Sequence, residues 1–262
     1  MNIFICIKQV PKTENIKLKA GEPFRDKGLE RHINTFDTFA LEEAARTKDQ
    51  YSDTRIILIS MGPESTERCL IEGLSLGADK AYHLKDDLFL KNDSLTTARL
   101  LAQAIRSVEK IEGPADVILT GRQSTDSGLG LIPIMLSEIL SVKLVPSVTE
   151  FYYEPAGHRV LMMTRGANDF SSVSSELPVI ISMTKGSHEV RFPTFKRIRE
   201  ANRAEIGRLS SKEVEYDPPR TEVLSVIKPG RNSKNAVVNT GDDEESTMEL
   251  LEMLKEDNIF AR

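Results

Sequence analysis

Four short aliphatic runs, Ile3–Val10, Arg55–Ser60, Lys80–Leu84 and Asp116–Thr120, alternate with amphipathic stretches over the first 140 residues, and no other feature constrains the fold as much. Runs that are apolar at consecutive positions fit strands covered on both faces. Phe36–Lys48 places Phe36, Phe39, Ala40, Leu41 and Ala44 at helical spacing, with Asn34 or Thr35 available as a cap. Met61–Gly62–Pro63 leads into a helix that ends at Gly77, and Asp93–Arg106 forms another. Strands alternating with helices pair in parallel, because each crossover runs through a helix. The predicted fold is α/β, three-layered, with a mostly parallel sheet. Ligands of such sheets lie beyond the carboxyl ends of the strands, so the turns starting at Lys8, Met61 and Gly121 share one candidate pocket.

The turn after the fourth strand carries the most chemistry. Gly121–Arg122–Gln123–Ser124–Thr125–Asp126–Ser127–Gly128–Leu129–Gly130 joins Asp116–Thr120 to Leu131–Leu140, which reads as a helix. A glycine- and hydroxyl-rich turn of this kind leaves N–H groups unpaired at the helix start, where the helix dipole also favours a phosphate. Glycine lets the backbone approach a ligand with no Cβ in the way. The turn is not a P-loop, since no Gly-Lys-Ser/Thr closes it, and its spacing is not G-x-G-x-x-G. On its residues alone it either binds phosphate or caps a helix. Ser124 and Thr125 lack the G-x-S-x-G setting of a nucleophile, and no acid–base pair stands out, so no catalytic side chain is assigned.

Further along, Lys12–Arg31 is a polar loop or hairpin, and Thr149–Tyr153, Val160–Thr164 and Pro178–Met183 read as strands of a partly antiparallel addition. Phe195–Arg203 is a basic helical piece whose Lys196, Arg197, Arg199 and Arg203 face solvent or a partner. From Ile206 apolar density falls, through Pro218–Pro219, Pro229–Gly230 and the acidic run Asp242–Glu245, to an amphipathic helix at Ser246–Leu254. We therefore expect a domain over residues 1–205 and an extended arm over 206–262 that packs on a partner subunit, because so few apolar residues cannot form a core.

Lys and Arg number 35 against 40 Asp and Glu, a net charge of −5 with no basic block, which argues against nucleic acid. Cys6 and Cys69 are the only cysteines, so neither a disulfide framework nor a zinc site is expected, and a reducing compartment is. His32, His83, His158 and His188 show no metal spacing. No charged leader precedes Ile3–Ile7, and no run approaches the ~18 apolar residues that span a bilayer. Cytoplasmic localisation without membrane insertion is the expectation.

Several motifs, in order, resemble those of the electron transfer flavoprotein β-subunit family. Ile5–Cys6–Ile7–Lys8–Gln9–Val10–Pro11 resembles its opening strand and V-K-Q-V-P, and Asn34–Thr35–Phe36–Asp37 with Ala40–Leu41–Glu42 its N-P-[FY]-D-x-x-A-L-E. Ser60–Met61–Gly62–Pro63 and Gly77–Ala78–Asp79 resemble its M-G-P and G-A-D, and Gly121–Arg122–Gln123 with Asp126 its G-[KR]-Q-x-x-D. Leu177–Pro178 and Arg191–Phe192–Pro193–Thr194 resemble later segments, so the likeness covers about residues 1–205.

The resemblance implies a Rossmann-like fold of adenine-nucleotide-binding type, with a C-terminal arm. By position, the nucleotide contacts it implies are Cys6, Asn34, Thr35, Phe36, Asp37, Met61, Gly121, Arg122, Gln123, Ser124, Thr125, Asp126, Ser127, Gly128, Leu129, Gly130, Leu131 and Ile132. The nucleotide is AMP in carrier-type members and FAD in electron-bifurcating ones. Asp93–Ser94–Leu95–Thr96–Thr97 resembles the D-[ST]-L-x-T of the FAD-binding branch, which adds Ser94 and Thr97, three apart on one helix face. Asp37 points to the same branch. Asp126 reads as a ribose ligand or a cap, and Arg122 as a partner of phosphate or of the flavin N1–C2=O edge, or as a solvated arginine. The implied partners are an α subunit carrying another FAD, a flavin-containing dehydrogenase and, in bifurcation, NADH as donor and ferredoxin as acceptor. A non-redox AMP- or ATP-binding module is the alternative.

The chain also departs from the family. Ser127–Gly128–Leu129–Gly130–Leu131–Ile132–Pro133 replaces the usual G-D-T-x-Q-x-G-P, and Gly166 stands where an acid is common. Ser187 stands near where carrier-type members present a leucine to dehydrogenases.

Overall fold

A computed structural model describes residues 1–12, 29–85, 92–166, 168–186, 188–210, 215–222, 224 and 244–256. Most of the polar stretch 12–31, the residues 229–230 and 242–243, and Ser187 lie outside the described residues. The chain divides into two units, Met1–Ile16 with Arg25–Leu224, and Lys17–Phe24 with Ser225–Arg262.

The first unit holds a nine-stranded sheet. Its first strand, β1 (Asn2–Cys6), is followed by β2 (Gln9–Pro11), β3 (Arg31–Ile33), β4 (Arg55–Gly62), β5 (Lys80–Lys85) and β6 (Val117–Gly121). Then come β7 (Lys143–Glu154), β8 (Arg159–Arg165), β9 (Phe170–Glu176), β10 (Val179–Met183) and β11 (Gly207–Ser210). The sheet order is β11-β5-β4-β1-β6-β10-β7-β8-β9, while β2 and β3 form a separate hairpin. Pairing is parallel from β11 to β7 and antiparallel only at β7–β8–β9.

Alternate residues of β1 serve two cores. Ile3 and Ile5 pack with α1 (Thr35–Gln50) and α2 (Glu67–Leu76), through Leu41, Ala44, Leu70 and Leu74. Phe4 and Cys6 pack with α3 (Ser94–Glu112) and α4 (Ile132–Leu140), through Leu100, Ile105 and Leu136. Each fully buried aliphatic side chain here contributes about 1.5–3 kcal/mol. This is the predicted three-layer α/β architecture.

Four details differ from the sequence reading. The strand expected over Ile3–Val10 breaks after Cys6, because the Asp37 carboxylate takes the Lys8 amide at 2.7 Å and turns the chain into the β2–β3 hairpin. Pro178–Met183 reads from sequence as part of the partly antiparallel addition, yet β10 enters parallel between β6 and β7, buried along its whole length. β7 is longer than Thr149–Tyr153: Lys143–Val145 and Val148 pair in parallel with β10, and the stretch from Val148 to Glu154 pairs antiparallel with β8. A proline has no N–H to donate, and Pro146 stands where the register of the β10–β7 pairing shifts, between Val145 and Val148. Finally, β11 lies beyond residue 205 and pairs with β5, so the fall in apolar density at Ile206 does not end the sheet.

Between β10 and β11 the chain returns over α1, where His188 and Arg191 bond Glu43 and Glu42, and α5 (Phe195–Ala201) packs on α2. Past β11, residues 215–221 run along α3: Gln103 and Glu215 exchange hydrogen bonds and Arg99 pairs with Asp217. In the second unit the described element is α6 (Glu244–Glu256), which covers the expected Ser246–Leu254 helix.

Candidate functional site

Strand order fixes where a ligand can enter. From β1 the chain builds outward through β4 and β5, then α3 carries it back to β6 on the other side of β1. The order reverses between β1 and β6, and the crevice beyond such a reversal is the binding position of open α/β sheets. Cys6 and Thr120 are register partners at its floor. The helices that follow β5 and β6, α3 and α4, both begin at this carboxyl edge and pack against each other.

Around the crevice, polar side chains tie three chain segments together. Asn34 occupies the N-cap position of α1 without capping it. Instead its Nδ2 donates to Gln123 O at 2.9 Å and its Oδ1 accepts from Thr125 N at 3.0 Å. Asp37 Oδ1 accepts from Asn34 Nδ2 and from Gly121 N, both at 3.0 Å, and Oδ2 accepts from Lys8 N. The start of α1 thus pins the exits of both β1 and β6. Burial pushes the Asp37 carboxyl up to about 7, against the pull of these N–H donors. Burial, then the nearby charge of Asp37, pushes the Cys6 thiol up to about 12, so it is protonated at neutral pH.

Gly121 owes its missing Cβ to this clamp. A Cβ there would collide with Asp37 Oδ1 and lie 2.7 Å from Phe36 Cβ, so the close neighbour is α1. The open part of the turn lies further on. Gly128 and Gly130 have φ of +67° and +65°, which favour glycine, and no described residue stands within 4 Å of a Cβ built on Gly128. Gly128 N donates to Ser124 O at 2.8 Å, and the Ser124 and Ser127 hydroxyls meet at 2.7 Å. Leu129 and Leu131 are exposed, Ile132 is half-buried, and Thr35 and Arg122 face solvent. Met61 is half-buried against the α3 core.

Asp93, not Ser94, caps α3, accepting Thr96 N at 2.9 Å. That amide, with Arg220 N and the Thr221 hydroxyl, holds the Asp93 carboxyl below the usual carboxylate range against a smaller effect of burial. Ser94 and Thr97 are half-buried on the first turn of this 19-residue helix.

The sequence reading assigns no role to six side chains. Lys8 Nζ lies 2.8 Å from both Asp126 oxygens and 3.4 Å from Ser124 Oγ, bridging the exits of β1 and β6. Burial raises the Asp126 carboxyl, but the Lys8 ammonium and the Ser124 hydroxyl outweigh it and hold it low. The Thr120 hydroxyl is buried and has no hydrogen-bond partner among the described residues. Glu42 and Glu43 are buried on α1 and hold Arg191 and His188, 149 and 145 residues away. Phe192 and Phe195 are each 93% exposed, and the aromatic pair beside Lys196, Arg197 and Arg199 was the available signal.

These features match a known family. The model of the electron transfer flavoprotein domain matches residues 24–214. The chain is 31% identical to the electron transfer flavoprotein subunit beta of Megasphaera elsdenii, over 95% of both chains. It is 28% identical to the caffeyl-CoA reductase-Etf complex subunit CarD of Acetobacterium woodii, over 99% of this chain and all of that one. It is 30% identical to the protein FixA of Azorhizobium caulinodans, over 81% of this chain and 76% of that one. The chain belongs to the electron transfer flavoprotein β-subunit family.

Proposed function

We propose that this chain serves electron transfer by holding FAD in the crevice beyond β1 and β6, as one half of a heterodimer with an α subunit that carries a second FAD. The observation that carries this reading is the buried Thr120 hydroxyl, unpartnered among the described residues, at the point where strand order reverses. A buried hydroxyl left without a partner costs about 1–3 kcal/mol, which a bound nucleotide would relieve. The residues fit an ADP moiety. Gly128 leaves the turn open, Ser94 and Thr97 offer hydroxyls to a diphosphate at the start of α3, and Asp126 offers acceptors to ribose. Exposed Arg122 supplies a cation for phosphate or the flavin edge. The Asn34–Asp37 clamp positions the turn from behind. The chemistry FAD supplies when bound is acceptance of hydride from NADH and division of its electrons between the α-subunit flavin and ferredoxin.

A redox partner, which we take to be a flavin-containing dehydrogenase, docks on Phe192 and Phe195. Such exposed aromatics flanked by cations fit an apolar pocket with an acidic rim. Cys6 and Cys69 are free thiols, and no described helix is long and apolar enough to cross a membrane, in keeping with work in the cytoplasm.

Acid release of nucleotide from the purified complex, with flavin and AMP counted per heterodimer, tests the reading. Two FAD and no AMP are expected. One of each would make the chain a simple AMP-holding carrier subunit, and AMP without any flavin would make it a non-redox nucleotide module.

A further inference from the structure

We infer that Lys8 is a ligand residue of the crevice that takes the nucleotide's phosphate, and that Asp126 holds it in place until the nucleotide arrives. This rests on the nucleotide reading above and adds to it a residue outside the nucleotide contacts that the resemblance implies. Three observations carry it.

The first is anchorage. Lys8 lies two residues past the end of β1, its amide fixed by Asp37 Oδ2 at 2.7 Å and its carbonyl accepting Asn34 N at 2.9 Å. The backbone is therefore held at the crevice, and its side chain reaches the loop after β6. The second is the form of the pair. Lys8 Nζ sits 2.8 Å from both Asp126 oxygens, with side chains 49% and 27% exposed. An ion pair this open to water contributes only about 0–1 kcal/mol, so it yields readily to a stronger anion. A phosphate is such an anion, and a lysine ammonium binds it as a point charge.

The third observation is what the exchange leaves behind. Asp126 is kept ionised by Lys8 and the Ser124 hydroxyl, so once released it is a ready acceptor for two ribose hydroxyls. One broken pair gives two ligand contacts, the ammonium to phosphate and the carboxylate to ribose. The Ser124–Ser127 hydroxyl pair and the open Gly128 lie on the same loop. The loop thus has room for both contacts without moving the Asn34–Asp37 clamp.

The test uses the heterodimer freed of nucleotide, titrated calorimetrically with AMP and with adenosine, which share a ribose but not a phosphate. Lys8→Met should weaken AMP by about tenfold or more, the worth of a charge-assisted hydrogen bond, and leave adenosine binding as tight or tighter, since Asp126 is then free for the ribose. Lys8→Arg should restore AMP binding, and Asp126→Asn should weaken both ligands. Equal weakening of AMP and adenosine by Lys8→Met, or no weakening of AMP, would overturn the role of Lys8 while leaving the nucleotide site standing. A wild-type heterodimer that binds neither AMP nor FAD would overturn the site reading and this inference together. Unchanged melting temperatures of the variants separate lost contact from lost fold.

Discussion

The carboxylate of Asp37 accepts the amide of Gly121 at 3.0 Å, across 84 residues of sequence, and so fastens the first turn of α1 to the end of β6. Gly121 is consequently a packing glycine. Gly121→Ala should force α1 away from β6 and cost about 1–3 kcal/mol, as overpacking does. Urea unfolding should show a lower midpoint with an unchanged slope.

Asp37 also gives the fold a pH dependence of known sign. Its carboxyl is raised from an ordinary 3.8 to about 7 by burial. The native state then binds the proton more tightly than the unfolded chain. Its contribution is fully present below the unfolded value, declines as pH rises toward about 7, and is constant above. In Asp37→Asn, whichever way the amide turns, an N–H meets the amide of Lys8, or those of Gly121 and Asn34. That variant should lose about 1–3 kcal/mol, and the decline of its stability with pH in this window should flatten. Stability curves for both proteins from about pH 4 to about pH 8, which spans the decline, check the sign.

The parallel core was legible because its strands are apolar at consecutive positions, as Ile3–Cys6 and Ile56–Ile59 are, and nothing else explains such runs. The strand β9, Phe170–Glu176, was not legible: it is a polar edge, exposed along most of its length, and its serines carry no alternation. β11 is only four residues long and is recruited by its neighbour β5. Around the crevice the motif positions located Asn34 and Asp37, but not that both grip the β6 turn. Such roles depend on partners about ninety residues away, which no local pattern encodes.

Glu42 and Arg191 form a clamp of the same long-range kind. Two guanidinium nitrogens and the Arg191 amide bond to the buried Glu42 carboxylate, and Asp49 takes a further contact. Arg191 keeps a third of its exposure, so Glu42→Ala should cost about 1–3 kcal/mol rather than a full buried-pair penalty. Hydrogen exchange should quicken at residues 188–195, and unchanged exchange there would refute the clamp.

Phe192 and Phe195 should affect docking without affecting stability. At 93% exposure each, their replacement by alanine should shift unfolding by no more than about 0.5 kcal/mol. Electron transfer to the redox partner should slow by about tenfold or more at subsaturating partner concentration, as loss of an aromatic anchor does. Stopped-flow reduction of the partner measures this, and an unchanged rate places docking elsewhere.

The most direct measurement is a density map of the heterodimer isolated with its own nucleotide. An adenosine phosphate seated beyond Cys6 and Thr120, its sugar and phosphate against the Ser124–Gly130 loop, is the predicted result. A crevice filled by protein side chains, or a nucleotide bound at a different edge of the sheet, would contradict it.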